Sequence, residues 1–289
     1  MTALLETSSV GKRLRRRWVL RDCSFVVPEQ TVVGLTGPNS AGKSTLLGLA
    51  VGLLRPDEGT ITAPPIAEIG YVAQDAPLYR SFTVGETLAF ARSLNARWDE
   101  QLALELLGSK ALDTRVSRLT PGERERLALA LALGKRPQLL LVDEPLAGLD
   151  RLAGREFLQV LMDGVAATGV AAVIATRVVT DIERVCDRIA LLCEGAIRLE
   201  GSVDELLARH RLLTGARRPL GRIHGVEEIV RARHSGRQLT LLVRTDGPVA
   251  DPTWTIDEIG LEDLLLAYMA PEELPAPRPP QPWRLRWHG

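Results

Sequence analysis

The segment Gly37-Pro38-Asn39-Ser40-Ala41-Gly42-Lys43-Ser44-Thr45 constrains this chain more than any other, because it fits G-x-x-x-x-G-K-[ST] between two apolar runs. Upstream, Thr31 to Thr36 (TVVGLT) predicts a strand, and downstream, Leu46 to Leu54 predicts a helix. A glycine-rich loop at such a junction turns its N–H groups and the helix N-terminus towards an anion. Lys43 can reach the same anion as a mobile charge, and Ser44 can offer a hydroxyl to Mg²⁺. An ordinary strand-to-helix turn needs neither residue. The stretch therefore reads as a phosphate cradle for a nucleotide.

A second apolar run, Leu139 to Val142, ends in two carboxylates, Asp143 and Glu144, before Pro145. Ligands of open α/β sheets bind at the carboxyl ends of the strands, where such carboxylates belong. Neighbours on a strand point to opposite faces, so the pleat predicts that one holds Mg²⁺ while the other orients a water.

Around these two strands the pattern predicts an α/β fold with a mainly parallel sheet. Val19 to Val27 predicts an early strand, Pro56 to Gly59 a turn, and Ile66 to Ala73 a strand that leads to Gln74. From Thr83 to Arg118 the spacing becomes helical, and a third helix opens at Thr120-Pro121-Gly122-Glu123 with a capping box. A helix near Arg151 to Val165 comes next, then a strand from Val170 to Ala175, a short helix around Thr180 to Val185, and strands near Ile189 and Ile197. The composition changes near Leu212 to Leu220, and short strands and a helix, Leu261 to Met269, predict a small α+β extension. The expected division is 1–211 with a helical insert at about 77–136, then 212–270, then a proline-rich tail, 271–289, read as extended or disordered.

Composition removes several classes. The formal net charge is zero, so no global field draws the chain to nucleic acid, and no nucleic-acid partner is expected. The three cysteines, Cys23, Cys186 and Cys193, form no C-x-x-C pair and read as buried thiols rather than a disulfide framework or zinc site. No apolar run reaches the roughly 18 residues needed to span a bilayer, so the chain is not expected to cross a membrane by itself. The basic run Arg13, Arg15, Arg16, Arg17 reads as a solvated edge, with contact to lipid headgroups or a membrane partner as the alternative.

The order of these motifs resembles the ATP-binding cassette family of transporter ATPases, over about Leu5 to His210. GPNSAGKST is similar to its P-loop, and LLLVDEP to its Walker B strand, which implies Asp143 and Ser44 as Mg²⁺ ligands and Glu144 as catalytic base. Gln74 in YVAQD resembles the family's Q-loop glutamine, which implies contacts with Mg²⁺ and the attacking water and a link to the membrane partner. Ala147 to Asp150 resembles the D-loop at the dimer interface. The family's fold is that of P-loop NTPases, with a parallel core, an antiparallel β subdomain and an all-helical insert. Two cassettes enclose two ATPs, each site joining one P-loop to the other's signature helix. Thr120 and Gly122 would then face a nucleotide held by the partner cassette, in a homo- or heterodimer.

Three departures stand out. The signature, usually LSGGQ, reads Leu119-Thr120-Pro121-Gly122-Glu123, where Pro121 removes a backbone N–H and Glu123 adds a negative charge. The switch histidine is replaced by Arg177, and the four histidines, His210, His224, His234 and His288, all lie later in the chain. Arginine can hold a γ-phosphate but cannot relay a proton at neutral pH. The adenine-stacking tyrosine falls on Leu14, which leaves Trp18 as the candidate stacking ring. Gly225 to Ala270 resembles the extension of exporter-type subunits.

The resemblance thus implies the ATPase subunit of an exporter, peripheral on the cytoplasmic face of the cell membrane, bound to a separate transmembrane permease subunit and using ATP and Mg²⁺. Slow hydrolysis is expected from Pro121, Glu123 and Arg177. The alternatives are a hydrolysis-deficient regulatory cassette paired with a competent one, or a non-transport cassette protein acting on ribosomes or DNA.

Overall fold

Two long antiparallel strands open the chain, β1 (Ala3–Leu14) and β2 (Arg17–Pro28), with Arg15 and Arg16 at the hairpin turn in left-handed conformations. The computed structural model describes residues 2–108, 111–218 and 221–270. β1 is not expected from sequence, because its alternation is broken. Its register with β2 shifts at Thr7/Val10 and again at Val10/Lys12, and Ser9 between them has a positive φ. All four arginines of the basic run are exposed. β4 (Glu58–Thr62) pairs with the other side of β1, so the turn expected at 56–59 gives way to a strand from Glu58 onward.

The main sheet is built from β3 (Val32–Thr36), β5 (Ile69–Val72), β6 (Leu139–Asp143), β7 (Ala171–Thr176), β8 (Arg188–Cys193) and β9 (Ala196–Ser202). Their order is β5-β6-β7-β3-β8-β9, parallel except for the β8–β9 hairpin. Ile66–Glu68, expected as strand, is a short 3-10 turn following Pro64 and Pro65. The central strands are buried on both faces, which is why they read as continuous apolar runs. One face, with Leu35, Leu139, Leu141 and Val173, packs with α1 (Lys43–Ala50) and with Leu5, Phe25 and Val27 of the antiparallel sheet.

The helical insert runs through α2 (Val84–Leu94), α3 (Glu100–Leu107) and α4 (Pro121–Gly134). Thr83 with Glu86, and Thr120 with Glu123, each close a capping box, while Asp99 caps α3. α5 (Arg151–Thr168) is capped by Asp150 and stopped by Gly169 in the left-handed region, and α6 (Val179–Ile182) is one turn.

The chain divides into two compact units, Met1–Val203 and Asp204–Gly289, so the composition change at 212–220 falls within and just after the first strand of the second unit. That unit contains α7 (Val203–Arg209) from Asp204 onward, β10 (His210–Ala216), β11 (Val226–Ser235), β12 (Gln238–Thr245), β13 (Thr255–Asp257) and α8 (Leu261–Met269). Its sheet is antiparallel in the order β11-β12-β10-β13, over a core of Leu213, Leu239, Leu241, Val243 and Trp254. The proline-rich tail 271–289 lies outside the described residues.

Cys23, Cys186 and Cys193 are buried free thiols, and burial pushes those of Cys23 and Cys186 up to about 12. Among the described residues no helix is long and apolar enough to cross a membrane.

Candidate nucleotide site

Backbone conformation makes the cradle. Gly37 has φ +152°, and a Cβ there would lie 2.0 Å from the Leu192 carbonyl oxygen; at Gly42, with φ +111°, it would lie 2.6 Å from Leu20 Cδ2. Only hydrogen fits at either position. Leu46 N donates to Gly42 O at 2.8 Å to begin α1. No side chain caps this helix and no acid stands in its first turn, so its N-terminal dipole is left for an external anion.

Lys43 Nζ donates to Gly37 O at 2.9 Å and Pro38 O at 3.4 Å, and it lies 3.2 Å from Glu144 Oε1. The pair is well shielded, with side chains 6% and 14% exposed. Asp143, the last residue of β6, is buried, with the Ser44 hydroxyl near enough to act on its carboxylate. Burial pushes its carboxyl above the usual range; the Ser44 hydroxyl opposes this, the Glu144 charge adds to it, and Lys43 opposes it again. Its Oδ1 has no hydrogen-bond partner among the described residues. A hydroxyl beside a buried carboxylate oxygen with unused lone pairs fits a hard, oxygen-seeking cation such as Mg²⁺.

The pleat does not separate the two carboxylates as expected. The strand stops at Asp143, and Glu144 has φ +47° with its N–H donating to Ala175 O at 2.8 Å. A turn rather than strand alternation sends Glu144 towards Lys43.

These groups border a cleft of about 430 Å³ lined by residues 39–45 together with Val19, Gln74, Glu144, Ala147 and Arg177. Gln74 and Arg177 are exposed to it. The structure thus gathers Asn39, Ser40, Ala41, Gly42, Lys43, Ser44, Thr45, Gln74, Glu144 and Arg177, with Gly37, Pro38 and Asp143 directly behind them.

Three candidates lie elsewhere. Trp18 lines an adjoining cleft with Arg17, Arg21 and Glu194, and its ring carries the Arg13 guanidinium at 4.0 Å from the centroid. Val19, which sequence reasoning missed, borders both clefts, and nothing in its local pattern marks it. Thr120 and Gly122 open α4 and do not line the P-loop cleft. The capping box is complete: Thr120 N donates to Glu123 Oε2 at 2.8 Å, and Glu123 N to Thr120 Oγ1 at 3.3 Å. The three described histidines all belong to the second unit.

Residues 20–147 match the family model described as ABC transporter. The lipopolysaccharide export system ATP-binding protein LptB of Acidithiobacillus ferridurans is 35% identical over 226 residues, covering 72% of this chain and 93% of that protein. The Fe(3+) ions import ATP-binding protein FbpC 2 of Rhodococcus jostii is 32% identical over 223 residues, covering 71% of this chain and 64% of that protein. A solved ATP-binding subunit of an ABC transporter superposes with a TM-score of 0.64 at 26% identity, covering 71% of this chain and 92% of that one.

Proposed function

Because this chain belongs to the ABC transporter family of ATP-binding subunits, we propose that it binds Mg-ATP firmly, hydrolyses it slowly and drives a separate transmembrane permease subunit as half of a cassette dimer. The observation that carries this reading is the convergence of Lys43, the Ser44–Asp143 pair, Glu144, Gln74 and Arg177 on one cleft at the carboxyl ends of β3, β6 and β7.

The geometry supports the following roles. The loop N–H groups and Lys43 take the β- and γ-phosphates, and to do so Lys43 leaves the Gly37 and Pro38 carbonyls and Glu144. Glu144 is then free to orient a water and accept its proton as the γ-phosphoryl bond to the β-phosphate oxygen breaks, releasing ADP and phosphate. Asp143, Ser44 and Gln74 would hold Mg²⁺, which neutralises phosphate charge when bound. Arg177 keeps a fixed positive charge beside the phosphates, which favours binding without offering a proton relay. From a partner cassette, the start of α4 would present Thr120 and Gly122, with one N–H fewer because of Pro121.

Export rather than import is supported by the small second unit, read from sequence as exporter-like, and by the lipopolysaccharide-export relative. The iron-import relative carries a similar cassette, so the choice rests on that second unit. A site on the cytoplasmic face of the membrane follows from a permease partner. Arg177 favours a second reading, a regulatory cassette that binds without turnover beside a competent one.

The test is nucleotide binding and single-turnover hydrolysis by the purified chain, alone and with its permease. The reading predicts Mg-ATP binding that Lys43→Ala abolishes, and a slow turnover that the permease stimulates. Turnover that stays absent with the permease but appears on adding a second cassette selects the regulatory reading. Binding unaffected by Lys43→Ala refutes both.

A further inference from the structure

The basic tip of the β1–β2 hairpin takes no part in the nucleotide chemistry. The two strands pair as far as Leu14 and Arg17, so Arg15 and Arg16 alone form the turn, with φ of +46° and +68°. A two-residue hairpin turn with both residues left-handed belongs to type I′, whose usual occupants are Asn and Gly. Arginine at both places strains the backbone, and strain that the fold does not need points to a function. Here it sets two guanidinium groups at the outer end of the hairpin.

Positive charge gathers around them. Arg13, Arg15, Arg16, Arg17 and Arg21 are all exposed, and none has a carboxylate within 4 Å among the described residues. The nearby acids are engaged: Asp57 meets Lys12 Nζ at 3.2 Å and accepts the Arg13 N–H at 2.6 Å, and Glu194 pairs with Arg198 at 3.0 Å. Five arginines within nine residues, in a chain whose net charge is zero, make a local positive field and not a global one.

The tip is apolar as well as basic. Cross-strand partners share a face, which places Leu14 with Arg17 on one side of the hairpin and Trp18 with Arg13 on the other. Leu14 is 40% exposed. Trp18 is half-buried, and its ring carries the Arg13 guanidinium at 4.0 Å and that of Arg21 at 5.5 Å. A ring covered in this way is not free to stack on a base, which counts against a single-stranded nucleic acid. A narrow tip of arginines around an exposed leucine suits the flat, anionic interface of a bilayer. The guanidinium groups meet lipid phosphates there, and the apolar side chain enters beneath the headgroups.

We propose that the β1–β2 hairpin tip is a membrane-surface anchor that docks on anionic phospholipid headgroups through Arg13, Arg15, Arg16 and Arg17, with Leu14 inserted among them. The choice of a lipid surface rests on the reading that this chain serves a membrane permease. The nucleotide cleft plays no part in it.

The probe is vesicles of phosphatidylcholine with one third phosphatidylglycerol, compared with pure phosphatidylcholine, sedimented with the full chain. The anionic vesicles should bind at least twentyfold more tightly, and high salt should remove most of that preference. Each arginine near such a surface is worth about fivefold in affinity, so Arg15→Asn combined with Arg16→Gly should weaken binding roughly 25-fold. That double variant should also raise the melting temperature, because it gives the turn its preferred residues. Arg15→Lys with Arg16→Lys keeps the charge and should hold affinity within threefold of the native chain. Vesicle binding that survives Arg15→Asn with Arg16→Gly belongs to another part of the chain and overturns the proposal. So do equal binding to both kinds of vesicle, and tighter binding to duplex DNA than to anionic vesicles at equal phosphate concentration. A lowered melting temperature in that double variant overturns it too, since the arginines would then serve the fold. Mg-ATP affinity and stimulation by detergent-solubilised permease should be the same in all these variants. Their absence in the native chain would sink the permease reading, whereas loss of vesicle binding alone sinks this one.

Discussion

The Lys43–Glu144 contact makes a prediction that links stability to nucleotide. At 3.2 Å, and with the effective dielectric of about 20 that suits protein sites, the gross attraction is about 5 kcal/mol. Glu144→Gln removes the charge and keeps the shape. Severing a buried pair typically costs about 3–5 kcal/mol, and since Lys43 keeps its bonds to Gly37 O and Pro38 O, the net loss should be smaller, roughly 2 kcal/mol. For a unit of this size each kcal/mol moves the melting temperature by about 2–4 °C, so the variant should melt roughly 4–8 °C lower without nucleotide. With saturating Mg-ATP the triphosphate supplies the counter-charge in both proteins, and the gap should shrink to less than half. Thermal melts with and without Mg-ATP give both numbers, and turnover should fall about 10²- to 10⁴-fold because the general base is gone. A gap that persists or widens with ATP would show that Lys43 does not exchange Glu144 for phosphate, and unchanged turnover would remove Glu144 from the chemistry.

Two further outcomes follow. Thr120→Ala should cost about 1 kcal/mol in chemical denaturation by leaving the Glu123 N–H uncapped, and Thr120→Ser should recover most of it. In the second unit, His210 is buried, with Nδ1 at 2.6 Å from Leu206 O and Nε2 at 2.9 Å from the Tyr268 hydroxyl. The carbonyl fixes Nδ1 as donor, so in the neutral ring Nε2 accepts from Tyr268. Burial chiefly lowers its pKa below the ordinary 6.5, so its contribution is complete above 6.5 and is lost as pH falls through the folded-state value. Unfolding followed from pH 7.5 down to 5 should show that loss, and His210→Gln should flatten it; a slope unchanged by the variant assigns it to other groups.

The P-loop, the Walker B carboxylates and the capping box at Thr120 were all legible in the sequence because each is a local device. Residue types at fixed offsets set their own backbone geometry, and neighbours a few positions away complete them. The central strands were legible because burial on both faces leaves only apolar residues. What was not legible depends on distant partners or on broken periodicity. β1 hides behind register shifts and a positive φ at Ser9. The Lys43–Glu144 pair depends on the turn that Glu144 makes beyond β6, where strand alternation suggested a different direction. Val19 borders the cleft only because the β1–β2 hairpin folds against the P-loop, with Gly42 packed on Leu20. Glu125 looks like one more charge in RERLALALAL until the fold buries it.

The central claim is that this cleft binds ATP well and turns it over slowly because Arg177 cannot relay a proton. Single-turnover hydrolysis of saturating Mg-ATP by the native chain and by Arg177→His tests it most directly. The account predicts similar affinity for both proteins and a rate at least tenfold higher for Arg177→His. A native chain that already turns over rapidly, with Arg177→His no faster, would contradict it.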